Sequence, residues 1–121
     1  MRKVRWTRLS LKRRLKNLLR RPQVKLLQST LHECAARADW TGDGPAVEIR
    51  VDTTQTGMIQ AVIHELLHYH FRETFGALLD ESLEEVLILA LEKYLWDDDI
   101  QRSTTQVRNW RRLINQKLGA P

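Results

Sequence analysis

Apolar positions recur at spacings of three and four through most of the chain, which predicts helices, and at a spacing of two in one short stretch. Arg8 to Arg21 carries Leu9, Leu11, Leu15, Leu18 and Leu19 among basic residues, one apolar face of a helix, and Pro22 interrupts it. From Gln23 a second helical pattern runs through Val24, Leu27, Leu31, Cys34 and Ala38, with Cys34 as a small core residue. It ends before Thr41-Gly42-Asp43-Gly44-Pro45, a strong turn signal. Val47 to Val51 alternates strictly and is β-branched on its apolar side, predicting a strand with one covered face. Thr56 is placed to cap a helix from Met58 to Arg72, and Gly76 marks the break after it. A further helix from about Leu78 to Trp96 is apolar on nearly all sides, which predicts that other elements wrap it. Asp97-Asp98-Asp99 ends it. Ser103 or Thr104 then starts a basic helix through Val107, Trp110, Leu113 and Ile114. The sum is α+β, mostly helical, with one strand or a small β-sheet if Val4–Thr7 pairs with it.

Length and composition narrow this to a class. At 121 residues with 42% hydrophobic content, the chain suits one domain with a real core and excludes wholesale disorder. No apolar run approaches the ~18 residues of a membrane span, and the basic start lacks the apolar stretch of a signal peptide. The single cysteine, Cys34, excludes an internal disulfide framework. The expectation is a cytoplasmic chain with no membrane partner.

Charge is segregated. Eleven of the first 25 residues are Lys or Arg without one acid, and five more basic residues follow position 101, again without an acid. Residues 26–101 hold four basic residues against all 15 acids, so the ends carry +16 and the middle −11. An acidic middle suits metal chemistry, and basic ends suit docking to an anion or to that middle itself.

The chemistry concentrates in His64-Glu65-Leu66-Leu67-His68, an HExxH motif that chance produces in fewer than roughly one chain in a hundred of this composition. Two histidines four residues apart share one helix face, so both ring nitrogens reach one Zn²⁺. Glu65 sits about 100° around the helix, close enough to take a proton from a water on the metal without ligating it. Ile63, Leu66 and Leu67 embed the triplet in apolar surroundings, where unpartnered histidines are costly. A catalytic zinc takes three protein ligands. His70, two residues beyond His68, points away, and Phe71 and Thr74 stand where a metzincin has Gly and His. The third ligand is therefore expected among the carboxylates of the next helix, where Asp80, Glu81, Glu84 and Glu85 cluster.

His64-Glu65-Leu66-Leu67-His68 followed by Asp80-Glu81-Ser82-Leu83-Glu84-Glu85 resembles the gluzincin zinc metallopeptidases, and most of all the compact minigluzincin-like, phage-associated ones. The resemblance covers roughly residues 45–96. It implies a minimal zincin-like domain with its sheet beside the HExxH helix, Glu81 as the zinc-binding Glu, and Glu85 as the acid behind a ligand histidine. A tighter loop would make Glu84 or Glu85 the ligand instead. It also implies an edge strand beside the metal helix, which the order of elements assigns to Val47–Val51, pairing with a peptide or protein substrate. Tyr69, His70, Tyr94 and His32 are the available donors to a developing oxyanion.

Two functions from different classes are open. One is a zinc-dependent peptidase with Glu65 as general base, in which the basic segment 1–21 acts as an inhibitory plug. The other is a basic module that binds nucleic acid or an acidic partner protein through its ends, on a zincin-like fold with structural or vestigial zinc. The sequence leaves the oligomeric state open.

Overall fold

Thr7 opens the first helix, α1 (Arg8–Leu19), in the computed structural model, which describes residues 7–40, 46–76 and 79–119. Its side chain accepts the Ser10 N–H while the Ser10 hydroxyl accepts the Thr7 N–H, a reciprocal box that satisfies two helix-end donors. Leu11, Leu15, Leu18 and Leu19 are buried on one face, as the spacing predicts, whereas Leu9 is exposed.

The expected helix over 23–38 is instead two strands. β1 (Val24–Gln28) and β2 (Ala36–Trp40) flank β3 (Val47–Val51), giving the order β1-β3-β2, with β1 parallel and β2 antiparallel to β3. Val24, Leu26, Ala36, Val47, Ile49 and Val51 form the covered face. Leu27, which a helix would have buried, stands exposed, and Cys34 is exposed in the connecting loop rather than in the core. The 3–4 spacing of five apolar residues imitated a helix, but Ser29 and Thr30 interrupt it, and pairing with β3 satisfies the backbone on both sides. Asp52 secures the loop. Its buried carboxylate accepts the N–H groups of Leu31 and Thr54 and the Thr54 hydroxyl, at 3.0, 3.1 and 2.6 Å. The Gln55 amide donates to the Leu31 and Cys34 carbonyls, closing the same knot. The expected pairing of Val4–Thr7 and the turn at 41–45 lie outside the described residues, save Thr7.

Gly57, at φ +85°, turns the chain into α2 (Met58–Phe75), so the N-cap is this glycine and not Thr56. Gly76, at φ +62°, ends it. α2 is the central helix. It packs on β2 and β3, on α1, on α3 (Glu81–Glu92) and on α4 (Thr104–Gly119). Asp80 caps α3 by accepting the Ser82 N–H at 2.7 Å. A π-helical turn over Lys93–Asp97 continues it, followed by a 3-10 turn at Ile100–Arg102. Ser103 caps α4, accepting the Gln106 N–H, and Trp110 and Ile114 are buried beneath it.

Contrary to expectation, α3 is not wrapped. Ile88 alone is buried within it, and Leu83, Val86, Leu87 and Leu89 face solvent. The fold is α+β and mostly helical, with a small three-stranded sheet beside α2. Among the described residues, no helix is long and apolar enough to cross a membrane.

Much of the charge segregation is resolved inside the fold. Arg14 and Arg21 both pair with Glu73 on α2, which holds its carboxyl below the usual range, chiefly through Arg21. Lys12 pairs with Asp99, and Lys16 lies 5.6 Å from the Trp110 ring. These pairs neutralise acids of the middle, the plainer of the two roles open to the basic start.

Candidate metal centre

His64 and His68 lie one turn apart on the face of α2 that meets α3, their rings edge to face with centroids 4.9 Å apart. Both present Nε2 to the same carboxylate. His64 Nε2 is 3.2 Å from Glu85 Oε1, and His68 Nε2 is 3.1 Å from Glu85 Oε2. One donor atom from each of the three residues falls within 4.8 Å of the others. Bonds of 2.0–2.2 Å to a tetrahedral zinc require donors about 3.4 Å apart, tighter than the 4.8 Å that bounds these three donor atoms, so binding would draw them together. The donor set, two imidazoles and one carboxylate, is that of a zinc site with a free fourth position. The residues fit the metal.

The other ring nitrogens are also engaged. His68 Nδ1 is 3.1 Å from Glu84 Oε2, and His64 Nδ1 is 3.5 Å from Glu92 Oε2. A proton held on Nδ1 by a carboxylate leaves the Nε2 lone pair for a metal and fixes the ring orientation. Glu84 and Glu85 manage this together because successive helix residues flank the Ile88 line, so one carboxylate approaches His68 from each side.

Glu81 is not among these residues. It is the exposed first residue of α3, and it makes no ion pair with either histidine. His68 stands seven residues, about 10 Å, before the end of α2 at Phe75. Glu85, four residues or about 6 Å into the antiparallel α3, comes level with His68, whereas Glu81 at its first residue does not. The structure thus brings together His64, His68 and Glu85, gives Glu84 the supporting position, and adds Glu92, which the sequence reading missed. Its signal was available: Glu92 is seven residues beyond Glu85, two turns along the same face, closing an otherwise uncharged run.

Glu65 turns toward β2. Burial raises its pKa, opposed by the fields of His64 and His68 and by a hydrogen bond donated from the Ala38 N–H. The expected edge strand, Val47–Val51, is central and paired on both sides; β2 occupies the edge beside α2. Trp40, at the end of β2, stacks on Tyr69 at 5.6 Å and lies beneath the Arg72 guanidinium at 4.0 Å, fixing the strand against α2.

The candidate oxyanion donors have other surroundings. Tyr69 is stacked under Trp40, Tyr94 lies under Arg8, His70 is buried next to Arg14, and His32 is exposed in the loop before β2. α1 packs on the His70 and Glu73 side of α2, away from α3, so the part of the expected plug in α1 does not cover the histidines. An open cleft of about 730 Å³ lies at the N-terminal end of α2, lined by Thr54, Gly57, Trp96 and Arg111 among others, and includes no residue of the cluster. No family model, curated protein or solved structure matches this chain.

Proposed function

We propose that the protein is a zinc-dependent peptidase whose metal is held by His64, His68 and Glu85 and whose general base is Glu65. The observation that carries this reading is the convergence of both HExxH Nε2 atoms on Glu85, with each Nδ1 backed by a carboxylate. His64, His68 and Glu85 would hold the zinc, which would supply Lewis acidity and make a nearby water easier to deprotonate. Glu65, with its pKa raised by burial, is suited to take the proton of the attacking water and return it to the leaving amine. Glu84 and Glu92 hold the two imidazoles in one tautomer. β2, which no other strand pairs on its outer side among the described residues, offers main-chain groups to an extended peptide, leaving selectivity to a few side-chain pockets. The test is hydrolysis of a mixed unstructured peptide pool by zinc-loaded protein. Cleavage that a chelator abolishes and added zinc restores supports the reading, and no cleavage by fully loaded protein counts against it.

A second reading, a nucleic-acid-binding module, is favoured by one feature. Arg108, Arg111 and Arg112 are exposed at helical spacing on α4, and none has a carboxylate partner among the described residues. On that reading binding weakens steeply with salt and is indifferent to Glu65.

A further inference from the structure

α3 has two faces of opposite character. One carries Glu84, Glu85, Ile88 and Glu92 against α2. The other carries Leu83, Val86, Leu87 and Ala90, all exposed, at positions i, i+3, i+4 and i+7. That is the spacing of a helix-packing seam, and no other described element covers it. Leu83 is 49% and Val86 63% exposed, and Leu89 extends the patch on its flank. The apolar surface left open is on the order of 400 Å², inside the ~300–600 Å² of the largest patch on a typical monomer. A standard interface of ~800 Å² per partner would add about as much polar surface around this seam.

We infer that this face is the contact between two copies of the chain, paired α3 to α3 about a two-fold axis. The seam is a row of side chains on a helix surface, and its complement is another apolar helix surface whose grooves receive them. Among the described elements only α3 has one exposed. The seam also buries no charge on self-association: between Leu83 and Leu91 the only charged residues are Glu84 and Glu85, and both turn to the histidines. The strongly basic elements α1 and α4 would therefore keep their charge outside the contact. An isologous pairing brings the same patch from each copy together. Antiparallel helices then oppose their dipoles. None of these contacts depends on the metal.

Sedimentation velocity of the full chain under reducing conditions, which keep the exposed Cys34 from cross-linking, tests it. The expected result is a species of twice 14.3 kDa that dissociates on dilution through the micromolar range. Val86→Glu and, separately, Leu83→Gln should each raise the dissociation constant about tenfold or more, with helical circular dichroism unchanged. Leu9→Glu, at an equally exposed leucine on α1, should leave the dimer intact. A parent that stays monomeric up to ~100 µM overturns the inference. So does a dimer that tolerates both α3 substitutions.

Discussion

The Nδ1 of His68 lies 3.1 Å from Glu84, while the Nε2 of the same ring meets the next residue, Glu85. One imidazole is thus held between two neighbouring carboxylates, one supporting and one positioned to share a metal. His64 repeats the pattern with Glu92 in the supporting position, at the longer distance of 3.5 Å. Glu84→Gln should therefore weaken zinc affinity by roughly 10- to 100-fold, and Glu92→Gln by less. Competition against a chromophoric chelator measures both, and equal affinities in all three proteins would remove the supporting role.

Glu65→Gln keeps the size and the hydrogen-bonding capacity of the side chain but removes its basicity. Zinc content and melting temperature should stay near those of the parent while kcat for peptide hydrolysis falls about 10²- to 10⁴-fold. Retained turnover would assign the proton transfer elsewhere.

How much of this could be read from the chain differs from element to element. The leucines of α1, the alternation of β3 and the HExxH face of α2 depend on local periodicity, and they stand where the spacing puts them. β1 and β2 were hidden because Val24, Leu27, Leu31, Cys34 and Ala38 mimic a helical stripe, while the groups that hold the real structure, Asp52 and Gln55, lie more than 20 residues on from Leu31. The third carboxylate of the cluster depends on where two helices come level, a tertiary quantity. A one-turn difference separates Glu81 from Glu85. The apolar character of α3 was legible, but periodicity cannot say whether a partner lies within the chain.

Asp52 gives a dependence on acid. Its hydrogen bonds, first among them that from Thr54, hold its pKa at about 2, below the ordinary value of 3.8. A group depressed on folding stabilises the fold above its unfolded pKa and loses that contribution as pH falls through its folded one. Thermal stability should therefore drop between about pH 4 and pH 2. Asp52→Asn should melt lower at neutral pH and show a shallower loss across that window, which separates its part from those of Glu73 and Asp99. An acid limb identical in both proteins would contradict the assignment.

Gly57 holds φ +85° with open space around the position a Cβ would take. Gly57→Ala therefore meets no clash, and its cost is backbone strain alone, about 1–2 kcal/mol. Chemical denaturation should show that loss. A neutral or stabilising substitution would mean that the entry to α2 is not left-handed.

Metal content tests the central claim most directly. Protein purified without added metal, with His64→Ala, Glu85→Ala and Glu81→Ala beside it, is read by inductively coupled plasma mass spectrometry. About one zinc per chain is expected in the parent and in Glu81→Ala, with loss in His64→Ala and Glu85→Ala. Zinc lost with Glu81 and kept without Glu85 would reverse the ligand assignment. A parent that holds no zinc and takes up none when it is offered would contradict the metal centre itself.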